Sequence, residues 1–366
     1  MHLHIKKGFL NYSVIKEKTF SKRLINWYTE RKRDLPWRKT KDPYPVWLSE
    51  IILQQTRVDQ GLPYWKRFME SFPTIQDLAE APEEKVLRLW QGLGYYSRAR
   101  NLHAAGKHIV YDLGGVFPPT YSEILKLRGV GPYTAAAIAS ICFDEPMPVV
   151  DGNVFRFASR YFGITDDISK GSSRKVFESI LKNEISSKHP GTFNQAMMEF
   201  GATVCSPSPS CNDCLFQLDC YAYNKKEQKN LPVKTGKTRV RDRHFNYIVF
   251  KTGERFLLKE RTEKDVWSGL FDFFLIEEQS NEESVLNGLK SELGLGKFAV
   301  GQITEPMIHI LSHQKIHARF YEIKMEAHDS ERVIQNSTLR SFSIEEVLNL
   351  PKPKLIVNYL QRIGIT

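Results

Sequence analysis

Four thiols and two carboxylates carry most of the chemistry this sequence offers. From Cys205 to Cys220 the stretch CSPSPSCNDCLFQLDC holds four of the chain's five cysteines, spaced C-x5-C-x2-C-x5-C. Nothing directs export, and thiols in a reducing compartment stay free, so a disulfide framework is disfavoured. Zinc prefers paired C-x2-4-C knuckles, and only Cys211 and Cys214 form one. A [4Fe–4S] cluster needs four thiolates converging on a cube, and a compact loop with one short and two wider gaps supplies them. The iron–sulfur reading is preferred to zinc, with Cys205, Cys211, Cys214 and Cys220 as ligands and no histidine or carboxylate required.

In DPYPVWLSEIILQQT, Pro43 and Pro45 open a helix in which Glu50 lies four residues after Val46 and three before Leu53. A carboxyl on an apolar stripe is desolvated, its pKa rises, and it suits a general acid near neutral pH. The bland alternative is a glutamate at a helix edge paired with Arg or Lys. In VVDGNVFR, Asp151 precedes another helix, where an aspartate can be no more than an N-cap. Upstream, Thr120 and Glu123 form a T-x-x-E capping box. The run Arg128-Gly129-Val130-Gly131-Pro132 then makes a tight turn into a second helix. Gly129 and Gly131 leave backbone N–H groups bare at a helix N-terminus, a place for a phosphate. This reads as a helix–hairpin–helix grip on a DNA backbone, with an ordinary Gly-rich corner as the alternative.

The elements that must position these groups follow from composition and pattern. The 366 residues suggest two or three domains, and 41% hydrophobic content allows sizeable cores. No apolar run approaches a membrane span, and the N-terminus is a poor signal peptide, so a cytoplasmic chain without membrane contact is expected. The net charge of +10 favours a polyanionic partner. Lys225 to Arg243 holds eight Lys/Arg against two acids, a basic linker that is either simply solvated or laid along phosphates. Residues 21–224 read as all-helical. From about 244, FNYIVFKTGERFLLKERT reads as two strands around a Thr-Gly turn, GLFDFFLIEE as another strand, EESVLNGLKSEL as a helix, HARFYEIKME as a strand, and SIEEVLNLP onward as the last helix. An all-α domain, a linker at 225–243 and a mixed α/β domain at 244–366 are expected, with residues 1–20 as an extension of no evident role.

Taken together, these segments resemble the helix–hairpin–helix, Gly/Pro-rich, aspartate superfamily of DNA base-excision glycosylases. Within it, LPWR (Leu35–Arg38), SEIILQQT (Ser49–Thr56), GLGYYSRARNL (Gly92–Leu102), GVGPYTAAA, VVDGNVFR and FNQAMMEFGA resemble the MutY-type branch of adenine glycosylases. The related endonuclease III-like glycosylase-lyases carry a lysine nucleophile where this chain has Tyr133, which argues against Schiff-base chemistry. The resemblance implies double-stranded DNA with A:8-oxoguanine or A:G mispairs as substrate, flipping of the adenine into a pocket, and a monomeric enzyme. It implies Glu50 as the acid at adenine N7 and Asp151 as the carboxylate facing the sugar, with Tyr133 and Asn153 in support. Leu35, Trp37, Arg38 and Gln195 match positions that hold the flipped base. Gln55 and Tyr95 match residues that wedge into the opened stack, and Thr56 counts among the substrate contacts. Rival readings are a lyase acting on oxidised pyrimidines and a non-catalytic DNA-binding protein whose cluster senses redox state.

Two departures qualify the resemblance. The first cysteine gap holds five residues where the family has six, and the cluster is expected to be structural, shaping a basic loop that faces DNA. The C-terminal part resembles a MutT (Nudix)-like domain that checks the base opposite adenine. VWSGLFDFF carries its aromatic element, ending in Phe274 where proline is common. HILSHQKIH resembles its F-S-H loop, with Leu311 for Phe, making Ser312 and His313 candidates for reading 8-oxoguanine, or else a polar turn. A Nudix hydrolase helix needs several metal-binding glutamates. NGLKSELGL puts Asn287, Gly288 and Ser291 where three of that helix's charged residues should be and retains only Glu292, so independent nucleotide hydrolysis is not expected.

Overall fold

The computed structural model describes residues 10–236, 240–293 and 298–365; residues 1–9 of the extension and 237–239 of the basic linker lie outside it. The helices of the first part are α1 (Leu10–Arg31), α2 (Pro43–Ile52), α3 (Val58–Ser71), α4 (Ile75–Glu80), α5 (Glu83–Trp90), α6 (Ser97–Lys107), α7 (Tyr121–Ile124), α8 (Pro132–Phe143), α9 (Gly152–Phe162), α10 (Ser173–Glu184), α11 (Pro190–Thr203) and α12 (Tyr221–Lys225). The chain forms two compact units: Met1–Ala79 with Ala104–Gly236, and Glu80–His103 with Lys237–Thr366. Residues 80–103, helical and contiguous in sequence with the first unit, thus pack with the second.

The first unit is built around α2. Asp42 caps it by accepting the Tyr44 N–H at 3.0 Å, and Pro43 and Pro45 sit in the first turn, where a missing N–H costs nothing. Every residue from Tyr44 to Ile52 is buried, so α2 is enclosed on all sides and Glu50 has been carried into an apolar interior. Helix α8 packs on α2 through alanines: Ala135, Ala136, Ala137 and Ala139 are all buried, and their small side chains let neighbouring backbones approach. Phe157 of α9 stacks close to Phe200 of α11 (centroids 4.5 Å) and near Phe216 of the cysteine loop (5.7 Å), tying these parts into one aromatic core. The first part of the basic linker also docks here. Arg160 Nε donates to the Leu231 carbonyl at 3.0 Å, and the Ile168 N–H to Val233 at 2.9 Å.

The second unit adds an eight-stranded sheet. Its strands are β1 (Arg241–Thr252), β2 (Arg255–Glu260), β3 (Phe271–Asp272), β4 (Phe274–Glu277), β5 (Ala299–Ile303), β6 (Met307–Ile310), β7 (Gln314–Lys324) and β8 (Arg340–Ser343). Its helices are α13 (Glu282–Leu293), α14 (Ala327–Gln335), α15 (Ile344–Asn349) and α16 (Lys354–Arg362). The order is β3-β2-β1-β7-β5, with β4 also on β1, β6 on β7 and β8 on β2. β1 and β7 run parallel in the centre, Phe245 opposite Ala318. Alternate β1 residues Ile248 and Phe250 face a core with α13 and α14, while Tyr247 on the other face stacks on Phe320, which stacks in turn on Tyr359 of α16.

Two expectations need correction. GLFDFFLIEE is two short strands, because β3 pairs β2 while β4 pairs β1 and Phe273 bridges the change of partner. Helix α15 ends before Leu350-Pro351, and the last helix is α16, begun after Pro353.

Candidate active site

A cavity of about 1050 Å³ opens in the first unit, and the residues singled out for base chemistry converge on it. Glu50, near the C-terminal end of α2, is 9% exposed and lines this cavity. Its partner is not a cation: the Tyr133 hydroxyl donates to Oε2 at 2.7 Å. Burial pushes the Glu50 carboxyl up to about 7; the Tyr133 bond opposes this and the charge of Asp151 adds to it. Tyr133 itself, in the first turn of α8, is held far above the usual phenol range by burial beside Glu50, so it remains a proton donor.

Asp151 is an N-cap and a wall of the same cavity. Its Oδ1 accepts the Val154 N–H at 2.7 Å and Oδ2 the Asn153 amide at 2.9 Å. Burial raises its pKa, but these N–H groups favour the charged form, as does the α9 N-terminus. The two carboxyls therefore sit in contrasting surroundings, one with a neutral phenol, the other on a helix N-terminus, the division that acid and anion roles require.

Asn153 is braced in turn. Arg156 donates to Asn153 Oδ1 at 2.9 Å and to the Cys205 carbonyl at 2.7 Å, linking the Asp151 carboxylate to the start of the cysteine loop. Gly201 of α11 permits this approach: a Cβ there would lie 2.5 Å from the Asn153 carbonyl oxygen. Gly201→Ala is expected to destabilise the protein by about 1–3 kcal/mol through backbone overpacking and to slow catalysis by shifting Asn153. Thermal melting and a single-turnover rate measure both, and an unchanged melting temperature would show that the helices adjust.

The base-holding candidates also meet here. Leu35 and Trp37 are buried in the turn after α1, and Trp37 packs against Trp65 at 5.6 Å. Arg38 is not free to reach outward: its Nη2 is 2.7 Å from Glu199 Oε2. Gln195 Oε1 accepts the Tyr28 hydroxyl at 2.8 Å. Gln55 (φ +56) is exposed at the cavity edge beside Thr56. Gly129 takes φ +76, and Gly131 is the N-cap of α8 on the cavity wall. Thr120 caps α7, its oxygen 3.3 Å from the Glu123 N–H, but the expected box is half formed: the Glu123 carboxylate accepts the Thr120 hydroxyl at 2.7 Å rather than its backbone N–H.

Sequence reasoning missed Glu199, fully buried between Arg33 and Arg38 on the cavity wall. Burial would raise its pKa, but the hydrogen bonds of both arginines outweigh that and hold it at about 2. Its one local trace is that Glu199 stands four residues after Gln195, on the same face of α11, but nothing nearby in the sequence marks its arginine partners.

Tyr95, Ser312 and His313 lie in the second unit. Tyr95 (φ +47, 39% exposed) donates its hydroxyl to Ser312 in the β6–β7 hairpin, and Ser312 and His313 are exposed. Asn287 and Gly288 lie on α13, while Ser291 and Glu292 fall outside the side chains that are described.

The four clustered cysteines are partly buried and unpaired. They are neighbours: burial raises the Cys214 thiol, and Cys205, Cys220 and Cys211 raise it further. Among the described residues no three His, Cys, Asp or Glu side chains converge as ligands of one ion. The observation that bears on a cluster is the donor set: four partly buried thiols within electrostatic reach of one another, the number a four-iron cube takes at one per iron. The loop is not basic, however. It contains no Lys or Arg, and the cations near it, Arg23, Arg156 and Arg160, are turned onto its own acceptors, Arg23 reaching Asp219 Oδ2 at 2.6 Å and Arg160 Ser206 O at 2.7 Å.

Comparison with known proteins agrees with this architecture. Residues 48–183 match the family described as HhH-GPD superfamily base excision DNA repair protein, and residues 246–362 match the NUDIX domain. The fold and site thus define a base-excision DNA repair protein of the helix–hairpin–helix class with an appended Nudix-type domain. The chain is 37% identical over 275 residues to the adenine DNA glycosylase of Buchnera aphidicola subsp. Acyrthosiphon pisum, covering 75% of this chain and 78% of that one. It is 33% identical over 328 residues to the adenine DNA glycosylase of Schizosaccharomyces pombe, covering 73% and 71%. The chain belongs to the adenine DNA glycosylase family. Among solved structures, a thermostable thymine-DNA glycosylase matches with a TM-score of 0.53 at 28% identity, over 58% of this chain and 98% of that one. An endonuclease III trapped on DNA shares the fold, with a TM-score of 0.50 at 22% identity over 58% and 97%. No helix among the described residues is long and apolar enough to cross a membrane.

Proposed function

We propose that this chain is a monofunctional glycosylase that excises adenine mispaired with 8-oxoguanine or guanine in double-stranded DNA. The observation that carries the reading is one cavity holding a Glu50 poised to give a proton and an Asp151 kept on a helix N-terminus. The adenine must leave the stack to reach them. Protonation of N7 by the Glu50 carboxyl makes the base a better leaving group, and the C1′–N9 bond breaks with its electron pair going to the base. The sugar is left as an oxocarbenium cation, which the Asp151 carboxylate stabilises until water adds at C1′ and gives its proton to the now ionised Glu50 carboxylate, the division of labour known for two-carboxylate glycoside cleavage. The Tyr133 hydroxyl and the Asn153 amide fix the two carboxyls. No lysine is among the described residues lining the cavity, so a Schiff base has no amine on which to form.

Cys205, Cys211, Cys214 and Cys220 would hold a [4Fe–4S] cluster, which when bound supplies a covalent brace. Its loop in turn meets α9 through Arg156 and Arg160. Ser312 and His313 would read the base opposite the adenine. 8-Oxoguanine presents an N7–H donor and an O8 acceptor where guanine has only an N7 acceptor, and a hydroxyl can meet either group. Ser312→Ala with His313→Ala is expected to reduce the preference for 8-oxoguanine over guanine roughly 5- to 10-fold, the worth of a hydrogen bond near 1 kcal/mol. Single-turnover rates on the two duplexes give the ratio, and an unchanged ratio moves lesion reading elsewhere.

The deciding experiment is a single-turnover assay on duplexes with A:8-oxoguanine, A:T or thymine glycol, each scored with and without alkali. Strand cutting at the mispaired adenine that needs alkali is the expected result. Cutting without alkali, or at thymine glycol, would place the chain with the lyases, and tight binding without cutting would make it a non-catalytic binder.

A further inference from the structure

The turn that carries Tyr95 is one of the most contorted segments of the second unit. Gly92 (φ +103), Gly94 (φ +70) and Tyr95 (φ +47) all lie in left-handed regions, and a tyrosine there is strained by of order 1 kcal/mol or more. Such a turn persists only when its surroundings fix it. Part of the fixing is local: the Trp90 indole donates to the Gly94 carbonyl at 3.0 Å, and Arg98 donates to the Leu93 and Gly94 carbonyls, each at 3.2 Å. The rest comes from residues more than 150 positions away.

Besides the Tyr96 hydroxyl, which donates to the Lys352 carbonyl at 3.4 Å, two long-range ties flank the turn. On its N-terminal side, Gln91 Oε1 accepts the Lys352 backbone N–H at 3.0 Å. Lys352 is itself immobilised: it is 2% exposed, and its ammonium caps the end of α15 on the carbonyls of Leu350 (2.7 Å) and Val347. On the C-terminal side, Arg100 Nη1 donates to the Ser268 carbonyl. That carbonyl belongs to a second contorted loop, with Trp267 at φ +64 and Gly269 at φ +78. The loop is pinned through Asp265, which Arg243 Nη2 meets at 2.7 Å and Arg261 at 3.1 Å. A Cβ at Gly269 would lie 3.1 Å from Arg100 Nη1, so the loop is pressed against the arginine.

We propose that Gln91 and Arg100 are positioning residues: two mounts, on Lys352 and on the Ser268 loop, that set the Tyr95 turn relative to the Ser312 hairpin and thereby set discrimination of the base opposite the adenine. The proposal rests on the reading of Ser312 and His313 as the lesion-sensing pair. It gives the C-terminal sheet a second task besides carrying that pair. The sheet holds the wedge at the distance from which Tyr95 can reach Ser312, so either mount matters only to substrates on which both residues act.

The test compares single-turnover excision on A:8-oxoguanine and A:G duplexes for Gln91→Met, Arg100→Leu and the double variant, with thermal melting of each. Gln91→Glu, which keeps an acceptor, and Arg100→Lys, which keeps a donor, are the conservative controls. The double variant is expected to lose the preference for 8-oxoguanine roughly 5- to 10-fold. Its A:G rate should stay within about twofold and its melting temperature near that of the parent. The conservative variants are expected to retain the preference. Gln91→Met alone, the mildest change, is expected to show part of the loss should the double variant fold poorly. A preference kept by these variants while Ser312→Ala with His313→Ala collapses it would overturn the mounts and leave the lesion-reading assignment standing. Equal losses on both duplexes would mean a merely structural role and also overturn the proposal. If the Ser312/His313 variant keeps its preference too, the underlying assignment is what has failed.

Discussion

Glu50→Gln is expected to bind a mispair duplex as the parent does and to release adenine at a rate lower by about 10²- to 10⁴-fold, the usual worth of a positioned general acid. Glutamine fills the same space and can still accept the Tyr133 hydrogen bond, so the cavity is kept while the proton is lost. The pH dependence has a defined sign. With its carboxyl pushed up to about 7 in the folded protein, Glu50 holds the proton below that pH and gives it up above. Excision should therefore fall as pH rises through about 7, a limb that Glu50→Gln removes. Stability moves too. The unfolded chain loses this proton near the ordinary glutamate pKa, the folded protein only near 7, so between those values the folded state binds the extra proton and stability declines with rising pH. Above about 7 the full penalty of a buried charge is present, on the order of 3 kcal/mol. Glu50→Gln should accordingly melt higher than the parent at pH 8, and the two should converge toward pH 4. Normal cutting by the variant would take the acid role away from Glu50, and parallel melting curves at all pH values would mean that its carboxyl is not desolvated.

What the sequence made legible was whatever is written locally. Glu50 could be placed because the prolines and the apolar run around it define a helix with no polar face. Asp151 could be placed as a cap by the glycine and helical pattern after it, and the cysteines by spacing alone. What stayed hidden depends on partners far along the chain. Glu199 takes its charge from Arg33, 166 residues away, and Gln195 its partner from Tyr28, 167 residues away. No local pattern in FNQAMMEFGA distinguishes a buried ion pair from a solvated face. The same limit hid β5 and β8. AVGQI and RSFS have too little alternation to read as strands, and they become strands because β7 and β2 offer unpaired edges. Residues 80–103 show it most plainly: their helical pattern is clear, but which unit they join is decided by Gln91, Tyr96 and Arg100 finding carbonyl and amide partners beyond residue 260. The basic loop expected around the cysteines failed for a simpler reason, since the charges that serve it are on α1 and α9 and are committed to its own acceptors.

Asp151→Asn should separate the two duties of one side chain. As the N-cap of α9, Asp151 accepts the Val154 N–H at 2.7 Å, and asparagine caps helices about as well as aspartate. The variant should therefore keep the cap and lose the Asn153 hydrogen bond, melting about 1 kcal/mol below the parent, whereas Asp151→Ala loses both, about 2 kcal/mol. Catalysis should not survive in the same way. On the proposed mechanism the negative charge, on the cavity wall, faces the place where the sugar becomes cationic, and removing a preorganised group of that kind costs about 10²- to 10³-fold in rate. Binding of the uncleaved duplex should change little, because the sugar carries no positive charge before the bond breaks. The measurement is the single-turnover rate on A:8-oxoguanine beside equilibrium binding and melting for the Asn and Ala variants. If Asp151→Asn cut at the parental rate while Asp151→Ala melted lower, Asp151 would be a helix cap and nothing more, and the cation would need another counter-charge. The described cavity wall offers one other buried carboxylate besides Glu50, namely Glu199, already neutralised by Arg33 and Arg38. With that group committed, Asp151 is the carboxylate of the described wall to which the proposed mechanism assigns the cation.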